Sequence, residues 1–357
     1  MRNLEAGGIG AFLMNVYRKV DREKIQFDFA VTASGMGILG PEIERMGGRV
    51  FFISENGTKN VKDCLLQMYR LYKVCKENRY DVVHSQCYFS NAYFLLCARL
   101  AGVRKLVSHC HNNFTQPPSF LKRCFEVVSR PLLLRVATDC LGCSDAATRY
   151  LYGEKAFRSG KAHTLYNGID YDLWNPNNYD VPALRQAYGL TNEKVAVFIG
   201  RMEKQKNPIY ALRVMKTVHE RCPAVKLFFV GVGSLDAEVD RFISENDMIG
   251  YVKRMPQDAN VRELQAIADV MIAPSLWEGL SIAFIEAQIM GTPIVTSDMV
   301  SDEIDMGLCS FLSLEQFEVW PTRVIEIFER NDTPKITKHY EDFNVKTTVR
   351  KLMEVYS

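Results

Sequence analysis

ADVMIAPSLWEGLSIAFIEAQIMGTPIVTSD, residues 268–298, decides the fold class of this 357-residue chain. VMIAP is a short apolar run, SLWEGLS breaks it, IAFIEAQIM can wind as a helix, and Gly291-Thr292-Pro293 stops that helix before a second apolar run, PIVTS. Strand, loop, helix and strand in this order make half of a parallel α/β layer. Ser281 stands where an N-cap is expected, so the free N–H groups of the next turn, helped by the helix dipole, form an anion site that suits a phosphate. Glu278 in the loop and Glu286 in the helix are separated by seven residues. Acids beside an anion site are better suited to holding sugar hydroxyls than to binding the phosphate itself.

Moving back along the chain, the same alternation repeats. KVAVFIG is a strand, RMEKQKNP a loop, IYALRVMKTVHERC a helix, VKLFFVG a strand, GSLDAEVDRFISEN a helix, YVKRMP a short strand and VRELQAIA a helix. Gly200-Arg201 follows the first of these strands and Lys206 lies five residues beyond Arg201. Glycine lets backbone approach a ligand, and a guanidinium with an ammonium can clamp a diphosphate, one as a fork and one as a point charge. Gly231 and Gly233 after VKLFFV lack the third glycine of a dinucleotide fingerprint.

The front of the chain alternates in the same way. FDFAVT, RVFFIS, DVVHSQ, KLVSHCHN and TDCLGCS read as strands, with helices at PEIERMG, VKDCLLQMYRLYKVCKEN, YFLLCARLAG and PSFLKRCFEVVSRPLLLRVA between them. Strands separated by helices imply a parallel, doubly wound sheet whose ligands sit at the carboxyl ends of the strands. His84, His109 and His111 lie near such ends. MRNLEAGGIGAFLMNVYRKV offers a glycine-rich turn and a helix, but a turn of this kind should follow a central first strand, and only six polar-leaning residues precede Gly7. The expectation is that the first strand of this domain is missing.

The turn-rich segment LYNGIDYDLWNP, residues 165–176, divides the chain. Residues 1–166 form the first domain, 167–331 the second, and 332–357 a helical closing segment that could cross back onto the first. Charge changes sign at the same place: 24 basic against 14 acidic residues before 167, 20 against 28 after it. A basic front half faces an anionic surface, membrane or nucleic acid, and no nucleic-acid-binding motif accompanies it. The ten cysteines are scattered through apolar runs with no signal peptide ahead of them, which points to a reduced, cytoplasmic protein. Cys140 and Cys143 form a lone C-x-x-C in a strand pattern, without the second pair or histidine of a zinc site, so core packing is expected and no metal. No apolar run approaches the ~18–20 residues of a membrane span. Phe120, Leu121, Phe125, Val128 and Leu132 can instead share one side of a helix, with Lys122, Arg123, Arg130 and Arg135 available for lipid headgroups.

With Arg201, Lys206, Glu278 and Glu286 in that order on the second of two Rossmann-like domains, the chain resembles the retaining glycosyltransferases of family 4, which have the GT-B fold. The resemblance is carried by GRMEKQKNP (200–208), residues 268–298 with their E-x7-E pair, NGID (167–170) and the early paired glycines followed by FLMNVYR, and it extends over nearly the whole chain. SDEI…LSLEQFEVW near the end most resembles members that build capsular or exopolysaccharide.

That resemblance implies two Rossmann-like domains facing a cleft and a UDP- or GDP-sugar as donor. Arg201 and Lys206, beside Gly200, would neutralise the diphosphate, and the backbone of Gly279, Leu280, Ser281 and Ile282 would cap its terminal phosphate. Glu286 would hold the ribose hydroxyls and Glu278 those of the donor sugar. Gly7 and Gly8 would close over the phosphates, and His111 would face the sugar, with His109 as the second candidate. No metal or other cofactor is implied. The acceptor would be a saccharide or a lipid-linked saccharide, with membrane contact at the inner face of the cell membrane. Where relatives often carry Glu two positions after the paired glycines, this chain has Gly10. Two other readings stand beside transfer: a sugar-nucleotide-binding protein without turnover, suggested by the missing strand, and a GT-B sugar-nucleotide epimerase, against which the E-x7-E context argues.

Overall fold

The computed structural model describes residues 4, 8–32, 35–54, 57, 60–111, 119–278, 280–330 and 335–357, without the Leu121 side chain. Two compact units emerge, one of Met1–Gly168 with Asp342–Ser357, the other of Ile169–Glu341.

The first unit opens with α1 (Gly8–Lys19), β1 (Phe29–Val31), α2 (Gly40–Arg45) and β2 (Val50–Phe52). It continues through α3 (Val61–Asn78), β3 (Val82–Ser85), α4 (Asn91–Leu100), β4 (Lys105–Cys110) and α5 (Phe120–Val136). β5 (Asp139–Gly142), α6 (Asp145–Tyr152), α7 (Glu154–Arg158) and β6 (Ala162–Thr164) complete its first pass. Local chemistry sets these boundaries. Asn60 and Asp63 close a reciprocal capping box at the start of α3, and Arg79, at φ 53°, ends it in the left-handed conformation. Ser144 caps α6 by accepting from the Ala147 N–H at 3.0 Å. All described strand pairs are parallel, in two pieces: β1 with β2, and β3-β4-β5-β6.

The second unit holds α8 (Val181–Ala187), β7 (Lys194–Ile199), α9 (Pro208–Arg221), β8 (Val225–Val230), α10 (Asp236–Glu245) and β9 (Val252–Met255). Then follow α11 (Val261–Ala266), β10 (Val270–Ala273), α12 (Ile282–Ile289), β11 (Ile294–Ser297), β12 (Cys309–Leu312) and α13 (Val319–Phe328). Its six strands form one parallel sheet in the order β12-β11-β10-β7-β8-β9. β7 and β10 are neighbours, yet the chain builds outward from β7 in one direction through β8 and β9 and in the other from β10 through β11 and β12. This reversal is the switch point at which ligands of open α/β sheets bind, outside the carboxyl ends of the strands. Beneath it, β7, β8 and β10 contribute Ala196, Phe198, Leu227, Phe229, Val270 and Ile272 to one core, closed by Trp320 of α13. Each large apolar side chain so buried stabilises the fold by about 1.5–3 kcal/mol.

The last helix, α14 (Val345–Tyr356), belongs to the first unit. Asn344 caps it, accepting from the Lys346 N–H at 2.9 Å, and Leu352 enters the core that Phe12 and Tyr17 of α1 share with Phe29 and Val31 of β1.

Candidate active site

β7 ends at Ile199 and hands the chain to Gly200 and Arg201; β10 ends at Ala273 and leads through Ser275 and Glu278 into α12. The two loops are tied together. Gln205 accepts from the Leu276 N–H at 2.8 Å through its carbonyl and donates its side-chain amide to the Trp277 carbonyl at 2.9 Å, while its Oε1 takes a bond from Arg201 at 3.2 Å. Lys206 forms an ion pair with Glu278, whose carboxylate also accepts from the Ser275 hydroxyl at 2.9 Å. Both side chains are largely shielded, 15% exposed for Lys206 and 8% for Glu278. An ammonium has three protons to donate. Glu278 takes one, so the Lys206 cation can serve an anionic ligand without giving up its partner.

Glycine makes this geometry possible. A side chain at Gly200 would press on the Lys206 methylenes at 3.3 Å. Gly231, which follows β8 with φ +129°, packs so closely that a methyl group there would run into the Gly200 carbonyl. Arg254 fixes this turn by donating to the Gly231 carbonyl at 3.3 Å and to Asp236 at 2.7 Å. The Gly231/Gly233 pair is thus a backbone-packing device.

Ser281 occupies the N-cap position of α12, but its side chain makes no capping bond, contrary to the sequence expectation. The residue is buried, with φ −76° and ψ 110°, and that setting leaves the first-turn N–H groups of the helix without a bond from this hydroxyl. Leu280 is buried and Ile282 opens the helix; Gly279 and Gly7 lie outside the described residues. Glu286, in the second turn, is half-buried, and its carboxylate has no hydrogen bond or ion pair among the described residues. Burial pushes its carboxyl up to about 8, with the Arg262 charge pulling the other way. It contrasts with Glu278, which already has two partners.

In the first unit, Gly8 begins α1 with open space where a side chain would stand. His84 on β3, His109 on β4 and His111 just beyond it form a run of rings, with centroids 5.3 Å apart for the first pair and 4.1 Å for the second. Phe12 of α1 covers His109 at 5.0 Å and His111 at 5.1 Å. His84 meets the Tyr356 hydroxyl at 2.6 Å through Nδ1, whereas the ring nitrogens of His109 and His111 are shielded and without a hydrogen-bond partner of good geometry among the described residues. Burial lowers the pKa of His84 and of His111 to about 3 and that of His109 well below its usual value; neighbouring histidines add to the first and last of these. All three are neutral at pH 7. Asn167 opposes the shift at His111. Cys140 and Cys143 are buried and form no disulfide among the described residues, where no group of histidine, cysteine and carboxylate side chains suited to a metal occurs.

Two family models match the sequence, "Glycosyltransferase Family 4" over residues 6–173 and "Glycosyl transferases group 1" over residues 180–303. "Putative glycosyltransferase EpsF" of Bacillus subtilis (strain 168) is 31% identical over 326 residues, which cover 90% of this chain and 84% of that protein. The chain belongs to the glycosyltransferases. An Escherichia coli relative, "UDP-Gal:alpha-D-GlcNAc-diphosphoundecaprenol alpha-1,3-galactosyltransferase", is 25% identical over 93% of this chain and 89% of its own. The capsular polysaccharide biosynthesis glycosyltransferase CapH of Staphylococcus aureus is 23% identical over 99% and 96%. Among solved structures, a glycosyltransferase from Rickettsia africae ESF-5 superposes with a TM-score of 0.81 at 15% identity, covering 99% of this chain and 96% of the other. Anabaena Alr3699/HepE in complex with UDP and glucose superposes at 0.76 with 17% identity, covering 99% and 97%. This glycosyltransferase therefore has the GT-B fold, with a parallel α/β sheet in each of two Rossmann-like domains.

Of the residues singled out in the sequence, the structure of this glycosyltransferase groups Gly200, Arg201, Lys206 and Glu278 around one pair of loops, with Glu286 on the helix that follows. Sequence reasoning missed Gln205 and Ser275, which hold that group together. Gln205 gave a faint signal by lying between the two cations, but its partners are 71 and 72 residues away in the chain and no local pattern announces them.

Proposed function

We propose that the chain transfers a hexosyl group, with retention of anomeric configuration, from a UDP- or GDP-sugar to a saccharide or lipid-linked saccharide acceptor in surface polysaccharide synthesis. The observation that carries this reading is the shielded Lys206 cation on the loop after β7 and, on the helix that follows β10, a Glu286 carboxyl with no partner among the described residues, both at the switch point of the sheet. The names of the relatives from Escherichia coli and Staphylococcus aureus, a UDP-Gal-dependent galactosyltransferase and a capsular polysaccharide biosynthesis glycosyltransferase, support the choice of donor class and pathway.

Arg201 and Lys206 neutralise the donor diphosphate, and the uncapped N–H groups of α12 receive its terminal phosphate. Glu286 accepts from the ribose hydroxyls. Glu278 accepts from a hydroxyl of the sugar while keeping Ser275 and Lys206. As the bond from the anomeric carbon to the phosphate oxygen breaks, the acceptor oxygen attacks the same face and its proton passes to the departing phosphate. Lys206 and Arg201 meet the charge that grows on the leaving group, so no divalent cation is needed for that task. His111, neutral at pH 7, serves as a hydrogen-bonding group toward the sugar. A glycosidase-like acid/base role for the Glu278 and Glu286 pair does not fit, because Glu278 is held by a cation and a hydroxyl.

The test is a panel of UDP- and GDP-hexoses offered with a lipid-linked saccharide acceptor, watching binding and nucleotide release together. Release of nucleotide with sugar appearing on the acceptor is expected for one donor. Tight binding of a donor without turnover would replace this reading by that of a sugar-nucleotide-binding protein, and interconversion of two donors by that of an epimerase.

Membrane contact through α5 belongs to the same proposal. Its buried side carries Glu126, Ser129, Leu133 and Val136, whereas Phe120, Phe125, Val127 and Val128 are exposed. An exposed apolar face beside the exposed Arg123 and Arg135 suits a helix lying in an anionic lipid interface. Arg130 is not available for headgroups as the sequence suggested: it donates to the Leu151 carbonyl at 3.1 Å and the Tyr150 carbonyl at 3.0 Å, anchoring α5 to α6. No helix among the described residues is long and apolar enough to cross a membrane. Sedimentation with vesicles should show several-fold more protein on anionic than on neutral lipid, with the difference shrinking in high salt. Equal pelleting on both would sink the electrostatic account.

A further inference from the structure

A cavity of about 530 Å³ opens at the amino ends of β4 and β5, on the floor of the first unit. Three arginines from three separate places line it: Arg99 in the last turn of α4, Arg104 in the turn that enters β4, and Arg135 in the last turn of α5. No acidic side chain lines the cavity, and none of the three guanidinium groups has an ion pair or side-chain hydrogen bond among the described residues. Asp139, which opens β5, is engaged elsewhere: it pairs with Lys105 at 3.3 Å and accepts from the Thr138 hydroxyl at 2.6 Å. β4 spans Lys105–Cys110, so Arg104 and His111 stand beyond its two ends, about 20 Å apart at ~3.3 Å per residue. The cavity is therefore separate from the candidate active site.

A cation in the last turn of a helix is favoured by the macrodipole, and this accounts for Arg99 and Arg135 taken one at a time. It does not account for Arg104, which is on no helix, or for the meeting of all three. The carbonyls that a guanidinium would serve at the end of α4 are already occupied. Ala101, Gly102 and Val103 donate their backbone N–H groups to Cys97, Arg99 and Ala98 at 3.0, 3.0 and 3.1 Å, in a turn that Gly102 closes at φ +102°. Three like charges around one hollow repel one another and focus a positive potential into it, which an anion relieves. We propose that this cavity is a binding site for a phosphate ester, with Arg99, Arg104 and Arg135 as forks around its phosphate. A terminal phosphate offers three free oxygens, one for each fork, where a carboxylate has two. The volume lies in the range of small-molecule sites and leaves room for the body of the ester beside the phosphate. Two sources carry this chemistry: a lipid headgroup, since exposed Val128 lies two turns before Arg135 on the same side of α5, and a soluble sugar or glycerol phosphate.

The test is titration calorimetry of the full-length chain with two probes, dihexanoyl phosphatidic acid below its micelle concentration and glycerol 3-phosphate. Wild type is compared with Arg104→Gln, Arg104→Lys, Arg135→Gln and Arg201→Gln. Arg104 and Arg135 are exposed, so their substitution should leave Tm within about 2 °C of wild type. At least one probe should bind, and Arg104→Gln or Arg135→Gln should weaken it about tenfold or more, the range for losing a charged hydrogen bond. Arg104→Lys should weaken it less, because it keeps the charge and loses the fork. Arg201→Gln, in the other unit, should leave it unchanged. A preference for the lipid probe assigns the site to a headgroup, and equal affinity for glycerol 3-phosphate assigns it to a soluble ester. Binding of neither probe at about 1 mM would overturn the proposal. So would equal affinities of wild type and both cavity variants, or an equal loss in Arg201→Gln, which would assign the effect to net charge.

Discussion

Lys206→Ala is expected to lower kcat/KM by about 10²–10³-fold, the range typical for removing one preorganised group that meets transition-state charge. The substitution removes a cation that the loop after β7 holds against Phe284, 5.9 Å from the ring centroid, and the Glu278 carboxylate. It also leaves Glu278, 8% exposed, with the Ser275 hydroxyl as its remaining side-chain bond among the described residues, so part of the effect is structural. Lys206→Arg separates the two: it keeps the charge and the pairing but moves the donors, because a planar fork is not a point charge. The expected order of activity is wild type, then Arg, then Ala, measured by initial-rate kinetics alongside thermal unfolding. Near wild-type kinetics for the Ala variant would refute the clamp.

Glu286→Gln should weaken nucleotide binding by about 10–100-fold, the range for hydrogen bonds to a charged acceptor, and should also flatten its pH dependence. With a carboxyl pushed up to about 8, the free protein holds its proton at pH 7. Ribose hydroxyls favour the ionised form, so binding should release a proton and grow tighter with rising pH, by up to about tenfold per unit below that value. Stability should run in the opposite direction. The folded pKa lies above the ordinary 4.5, so below pH 4.5 both states are protonated and nothing is lost; between 4.5 and about 8 the unfolded state ionises more readily and stability falls; above that it levels off. Because the residue keeps some solvent access, the loss is about 2 kcal/mol, less than the full shift implies. Titration calorimetry in buffers of different ionisation enthalpy reads the proton release, and urea unfolding across pH reads the stability. An affinity unaffected by the substitution would count against the ribose role.

How much of this was legible depended on how local the cause was. VMIAP, SLWEGLS and IAFIEAQIM gave strand, loop and helix because apolar period and breakers act within a few residues, and β10 and α12 stand where those runs placed them. β6, three residues with His163 exposed, and β12, half-buried along its length, escaped notice. Both are edge strands whose existence rests on pairing with β5 and β11, and their own side chains carry little pattern. α8 also went unread, although Asp180 caps it and Pro182 stands in its first turn. At the candidate site, residue types at fixed spacing pointed to Arg201, Lys206, Glu278 and Glu286. The pairing of Lys206 with Glu278, the Gln205 tie and the switch point at β7 and β10 depend on contacts some 70 residues apart. Phe12 against His109 and His111 is likewise a meeting of residues nearly a hundred positions apart. Ser281 shows the reverse case, a local rule that held for position and failed for the side chain once the loop was packed.

The return of α14 to the first unit bears on how the polypeptide matures. Residues 169–341 form their unit from one unbroken segment, but the unit begun by α1 is finished only by residues 342–357. Leu352 packs into its core and Tyr356 bonds His84, so the part translated first is the part completed last. During synthesis the second unit can reach its native state while the first still lacks its closing helix. Shortening the carboxyl terminus would accordingly injure the half of the molecule farthest from it in the chain, and spare the half that precedes it directly.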